Sequence, residues 1–139
     1  RFHYDVDGDN FTSAGAASVE VKRKLRQLGF DAETIRRVSI AMYEGEINMV
    51  VHARGGNADV YVDKDCITII LADQGPGIPD IDLAMQEGYS TAPDNIRALG
   101  FGAGMGLPNM KRYTDEMKIE TVLKKGTTVT MKVYINPQK

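Results

Sequence analysis

Apolar and polar residues alternate through Phe2, Tyr4 and Val6, which predicts an opening strand broken by Asp7-Gly8-Asp9-Asn10. Ser13 then reads as the cap of a helix running to about Gln27, stopped by Gly29 after the surface run Lys22-Arg23-Lys24. Asp31 caps a second helix predicted to reach about Ala53 and to end at Gly55-Gly56. Two apolar runs, 58–62 and 67–72, form a hairpin about Asp63-Lys64-Asp65. Residues 78–104 read as loop around Ser90, Pro93 and the glycines, with a short helical turn near Leu83-Ala84-Met85. An excursion of that length in a compact domain is usually functional or mobile. A helix from Met105 to about Tyr113 follows, then a hairpin of 118–123 and 127–135 about Lys124-Lys125-Gly126. The expected fold is an α/β two-layer sandwich, with a mixed, mainly antiparallel sheet and helices on one face. No repeat, linker or low-complexity tract divides it, so one domain over 1–139 is expected.

Composition narrows the classes. With 139 residues, 42% hydrophobic, 26% charged and net charge −2, the chain can bury its own core and shows no nucleic-acid footprint. No apolar run approaches the ~20 residues that span a bilayer, and no signal peptide opens the sequence, so a cytoplasmic protein is expected. The start at Arg1 leaves open whether a native leader or a tag precedes it. The single cysteine, Cys66, excludes an intrachain disulfide framework and reads as a small buried hydrophobe within Cys66-Ile67-Thr68-Ile69-Ile70-Leu71.

Four short motifs carry the chemistry. A helix turns about 100° per residue, so Glu44, Asn48 and His52 form one row, between Ile40, Ile47 and Val51 on one side and Val38, Met42 and Met49 on the other. Polar groups between two apolar stripes face inward and need partners. Either they cap neighbouring backbone, or Asn48 holds Mg²⁺ through its amide oxygen while Glu44 orients or deprotonates a group attacking a γ-phosphate. Glu46 is expected on the opposite, solvated face with no role, and His52 in packing or support. Asp73 closes an apolar strand before Gln74-Gly75-Pro76-Gly77; it reads as an ordinary turn corner or as the acceptor for adenine's exocyclic amine, with Gly75 and Gly77 admitting the purine. Gly100-Phe101-Gly102-Ala103-Gly104-Met105-Gly106 opens a helix as a hinge or as an anion cradle. No Gly-Lys-Ser/Thr occurs, which excludes a Walker-type NTPase. Gly126-Thr127 is a plain turn, or Thr127 backs the Asp73–adenine contact.

In this order the motifs resemble those of the GHKL ATPase superfamily, which includes gyrase-type, chaperone, mismatch-repair and histidine-kinase ATP domains. Glu44-xxx-Asn48 is similar to its N box, Asp73-x-Gly75-x-Gly77 to its G1 box and Gly102-x-Gly104-x-Gly106 to its G2 box. Asp73-Gln74-Gly75-Pro76-Gly77-Ile78-Pro79-Asp80, Gly88-Tyr89-Ser90-Thr91 and Gly104-Met105-Gly106-Leu107-Pro108-Asn109-Met110-Lys111-Arg112 look like the anti-sigma-factor and switch serine/threonine kinases of bacterial partner-switching modules. The resemblance implies a Bergerat-type ATP-binding fold with a mobile ATP lid, Mg²⁺ and ATP as cofactors, Glu44 as general base and Asn48 as metal ligand. It implies nucleotide contacts at Asp73, Gly75, Gly77, Ile78, Ser90, Thr91, Arg97, Gly102, Ala103, Gly104, Met105, Gly106, Leu107 and Thr127. The implied substrate is a STAS-domain anti-anti-sigma or scaffold protein; neither His3 nor His52 sits in a phosphoacceptor motif. The rival reading is a nucleotide-gated module that sequesters a sigma factor or another regulator with little turnover. A homodimer is left open by the sequence.

Overall fold

The computed structural model describes residues 1–7, 15–53, 55–75, 85 and 106–135, without the side chains of 7 and 51–53. Its sheet comprises β1 (Phe2–Asp7), β2 (Gly55–Val62), β3 (Cys66–Asp73), β4 (Glu116–Val122) and β5 (Gly126–Tyr134). They lie in the order β1-β2-β3-β5-β4, and each pairing is antiparallel. The helices are α1 (Ala16–Gln27), α2 (Ala32–Ala53) and α3 (Gly106–Arg112). The α/β architecture expected from the alternation is the one observed.

The strands form because every second side chain is apolar and one face is covered. Ile67, Ile69 and Leu71 of β3 and Val129, Met131 and Val133 of β5 are buried, with Ala58 and Val60 of β2, against Val38, Met42 and Met49 of α2. Register stacks them in cross-strand rows: Leu71–Val129–Ile119, then Ile69–Met131–Met117. Each such side chain contributes about 1.5–3 kcal/mol when fully buried. α2 lies across the sheet, with α1 beside it over β1 and α3 beside it over β4. Cys66 takes the other parity, because Ile67 is the inward residue. It is half-buried rather than buried, with its sulfur 3.9 Å from the Thr68 hydroxyl.

Two helix ends are as the sequence specifies. Asp31 caps α2 by accepting the Thr34 hydroxyl at 2.6 Å and the Thr34 N–H at 3.0 Å, and these bonds hold its carboxyl below the usual range. Gly29 ends α1 with φ +85°, donating to the Arg26 carbonyl at 3.1 Å while Phe30 N–H reaches the Leu25 carbonyl at 3.2 Å. That Schellman arrangement satisfies carbonyls the helix leaves open. Gly55 and Gly56, expected only to stop α2, already belong to β2, where they pair with Asp7 and Val6. Among the described residues no helix is long and apolar enough to cross a membrane.

Candidate functional site

The site is organised by one glycine in the middle of α2. A Cβ on Gly45 would collide with the Leu71 side chain of β3 and come within 3.2 Å of Met110 Cε on α3. Only a residue without a side chain lets α2 sit this close to the sheet. Because each residue turns about 100°, Glu44 and Glu46 project to opposite flanks of the line on which Gly45 touches β3.

Glu46 corrects the sequence reading. It is 3% exposed and faces α1, not solvent. Its Oε2 accepts the N–H groups of Gly15 at 2.8 Å and Ala17 at 3.2 Å, and its Oε1 accepts that of Ser18 at 3.0 Å. These are amides at the start of α1, which no earlier turn can satisfy, and a carboxylate there also meets the positive end of the helix dipole. Gly15, the N-cap, has no side chain to do this, and Ser13, the expected cap, lies outside the described residues. A side chain from another helix, 28 residues on from Ser18, performs the capping instead.

Glu44 is half-buried on the other flank, beside α3. Burial pushes its carboxyl above the usual range, and a hydrogen bond from the Asn109 side chain partly counters this. Asn109 precedes the buried Met110 on α3, so the helix that packs against Gly45 also delivers the amide to Glu44. Asn48 is half-buried one turn further along the same flank. His52 falls within α2, but its side chain lies outside the described residues. The row Glu44–Asn48 therefore borders the core; its centre is the line through Val38, Met42, Gly45 and Met49.

Beyond Leu71, the residue beneath Gly45, the next inward position of β3 is Asp73, and here the apolar rows give way to a polar one. Asp73 pairs with Thr127 of β5, which pairs with Thr121 of β4. Asp73 Oδ1 accepts the N–H groups of Gly75 at 2.9 Å and Thr127 at 3.2 Å. One carboxylate oxygen thus fixes both the turn after β3 and the start of β5, while Oδ2 takes no part in either bond. The hydroxyls of Thr127 (7% exposed) and Thr121 are 2.9 Å apart. Such a carboxylate has the chemistry to accept from a purine amine.

Of the expected site residues, Glu44 and Asn48 share a flank, and Asp73, Gly75 and Thr127 are joined by hydrogen bonds. Gly106 opens α3 and Leu107 is buried in the core. Gly77, Ile78, Ser90, Thr91, Arg97, Gly102, Ala103, Gly104 and Met105 lie outside the described residues, as do the lid and most of the turn expected near Met85. Sequence reasoning gave no role to Asn109 or Thr121. The available signal for Thr121 was a polar residue at the inward parity of Met117 and Ile119, opposite Thr127 across the hairpin.

Comparison with known proteins bears on this arrangement. The family model described as Histidine kinase-like ATPase domain matches residues 10–133. An anti-sigma F factor of Clostridium novyi is 35% identical over 122 residues, 84% of this chain and 82% of that protein. The serine/threonine-protein kinase RsbT of Bacillus subtilis is 34% identical over 108 residues, 75% of each chain. Among solved structures, the RsbU and RsbW domains of a Mycobacterium tuberculosis protein superpose with a TM-score of 0.67 at 17% identity. That match covers 99% of this chain and 33% of the other, a likeness of fold. The chain belongs to the histidine kinase-like ATPase family, as a GHKL-type protein of the partner-switching kind.

Proposed function

We propose that this chain is a cytoplasmic, single-domain, Mg-ATP-dependent serine/threonine protein kinase that phosphorylates a STAS-domain regulatory protein. The observation that carries the reading is the state of Glu44. Its carboxyl is half-buried, held by one side-chain amide and pushed above the ordinary carboxylate range. A base is most effective when its pKa lies near the working pH. Glu44 Oε accepts the proton of the attacking serine or threonine hydroxyl, and Asn109 keeps the carboxylate in one orientation. Asp73 accepts from the adenine amine, with Thr127 supporting it. Asn48 offers a hard amide oxygen to Mg²⁺. Mg²⁺ commonly takes most of its ligands from phosphates and water, so one amide oxygen is a sufficient protein contribution. Bound Mg-ATP supplies the phosphoryl group and neutralises charge during in-line transfer. Ser90, Thr91 and Arg97 are assigned to the phosphates with the amides of 102–106, and Gly77 and Ile78 to the purine.

The test is transfer from labelled ATP to a STAS-domain partner, measured beside capture of that partner and of sigma factors. Glu44→Gln keeps shape and hydrogen bonding but lacks the proton acceptor. ATP affinity is expected to stay within a few-fold while transfer falls on the order of 10²-fold. Capture of a sigma factor with no phosphorylated protein, in wild type and variant alike, would replace this reading with that of a nucleotide-gated binder.

A further inference from the structure

The β4–β5 hairpin turns on residues that a turn does not call for. Tight turns are ordinarily built from Gly, Pro, Asn, Asp and Ser, whereas this one runs Val122-Leu123-Lys124-Lys125 before Gly126. Val122 and Leu123 are each 57% exposed. Val122 lies bare because its cross-strand neighbour is Gly126, which has no side chain to cover it. Lys124 has φ +67°, the one non-glycine residue among those described with a positive φ. Side chains other than Asn and Asp rarely adopt that conformation. Lys124 and Lys125 stand side by side in a chain of net charge −2. Among the described residues no carboxylate is paired with either, whereas Glu120 on the strand before them is met by Lys118 at 3.6 Å. We infer that this apex is a docking knob for the protein substrate, which receives it in an apolar recess rimmed by carboxylates. The inference rests on the reading of the chain as a kinase of a STAS-domain protein.

The stability of the fold explains none of these choices. Two bare apolar side chains gain nothing from burial in the isolated chain, and Asn or Gly would relieve the backbone at 124. An unfavourable conformation that is nonetheless held in place points to function. The apex is also firmly tied. Lys125 N–H donates to the Val122 carbonyl at 3.0 Å, and the Thr121 hydroxyl donates to the Gly126 carbonyl at 3.4 Å. Gly126 packs so close to the end of β3 that a Cβ there would collide with the Asp73 carbonyl oxygen. A preformed knob loses little freedom on binding, and a partner seated on this one adjoins the strand end that carries Asp73. The two apolar side chains supply the dry centre of an interface and the two lysines its charged rim, so the matching surface is apolar with carboxylates round it. An anionic lipid surface fits less well, because attachment there scales with buried apolar area and two side chains offer little of it. The apex holds no group assigned to the transfer itself, so it governs capture of the protein substrate rather than the chemical step.

The experiment uses the full chain with Mg-ATP and a STAS-domain partner. It measures KM and kcat for transfer, ATP affinity, capture of the partner without nucleotide, and melting temperature. The variants are Leu123→Ser, Lys124→Asn and the double change Lys124→Glu with Lys125→Glu. Asparagine removes a charge while suiting the positive φ, so Lys124→Asn is expected to melt no lower than wild type. KM for the partner is expected to rise about 10-fold in Leu123→Ser and in the double variant, and about 3-fold in Lys124→Asn. ATP affinity and kcat are expected to stay as in wild type. An unchanged KM in all three variants would overturn the docking role and leave the kinase reading standing. Capture without transfer by wild type would overturn the kinase reading; the knob then stands if the variants capture less and falls if they do not. Neither transfer nor capture by wild type would overturn both. Binding to phosphatidylserine vesicles that the double variant loses, with KM for the partner unchanged, would give the apex to a membrane instead. A KM that rises only where the melting temperature falls would reduce the apex to a support of the fold.

Discussion

Glu44 and Glu46 stand two residues apart on one helix, carry the same side chain, and live in opposite circumstances. Glu46 is enclosed, and three backbone N–H groups fix both of its oxygens. Glu44 is half-buried with one side-chain amide, and its charge is opposed by burial. The difference follows from the neighbours. On one flank of α2 a helix begins and offers unsatisfied donors; on the other a helix face offers an amide and apolar side chains. A carboxylate held by three backbone N–H groups is a structural part, whereas one with a single side-chain partner among the described residues retains the capacity to take a proton. The comparison separates the group that builds the scaffold from the group assigned to chemistry.

Removing each carboxylate should therefore act on different observables. The largest effect on stability is expected from Glu46→Ala, which leaves the Gly15, Ala17 and Ser18 amides in a buried place without their acceptor. The loss should be about 3 kcal/mol, given 1–3 kcal/mol per unsatisfied buried group and partial rescue by water. At this chain length that corresponds to a melting temperature lower by roughly 10 °C. A calorimetric scan checks it, and a variant as stable as wild type would mean that α1 does not depend on this cap.

A smaller effect of opposite sign is expected from Glu44→Gln. The folded-state pKa of Glu44 is raised, so any stability tied to its protonated form is present below the ordinary glutamate range and is lost as pH rises through the raised value. The glutamine variant should match wild type in acid and become the more stable of the two toward neutral pH. Urea denaturation at several pH values reads this directly, and a variant destabilised as Glu46→Ala is would erase the contrast between the flanks.

The smallest effect lies at the sheet edge, away from both carboxylates. His3 Nδ1 lies 2.8 Å from Asp59 and its Nε2 3.2 Å from Asp5, and these bonds raise its pKa, that to Asp59 most. The raised value means that the contribution of His3 is complete below the ordinary histidine pKa and is lost as pH rises through the raised one. His3→Gln should remove a slight decline in melting temperature over that window, an effect limited by exposure to solvent. It should leave the behaviour of Glu44→Gln unchanged, because the two sites share no partner.

Much of the fold could be read from the sequence because strand alternation and helix caps are local signals. Asp31, Gly29 and the inward residues of β3 and β5 announce themselves within a few positions. Glu46 did not, because a helical period gives angles between residues of one helix but not what covers each angle. Judged by apolar side chains, the buried face of α2 centred on the Glu44–Asn48 row. Gly45 carries no side chain and went uncounted, yet it marks the line of closest contact with the sheet, one step round the helix. That single shift carries Glu46 from solvent to the interior. Asp73 stood out because a polar residue ending an apolar strand is conspicuous, whereas Thr127, near the start of β5, was marked only by the turn glycine before it. Asn109 was not, since its meaning depends on α3 meeting α2, a contact between elements more than fifty residues apart that no local pattern records.

The strand order has a consequence for how the chain comes together as it is made. β1 is the first strand in the sequence, yet its only neighbour in the described sheet is β2, and Phe2 sits opposite Val60. Everything else in the sheet is built from hairpins or from strands that follow β2. Closing the long β1–β2 connection costs more chain entropy than closing either hairpin, and strands of such high sequence separation pair slowly. During synthesis β1 waits for its partner β2 until both long helices have emerged. Its alternating charges, Asp5 and His3 outward and Tyr4 and Val6 inward, then serve a second purpose, because charged positions discourage an unpaired strand from pairing with another copy in the interval.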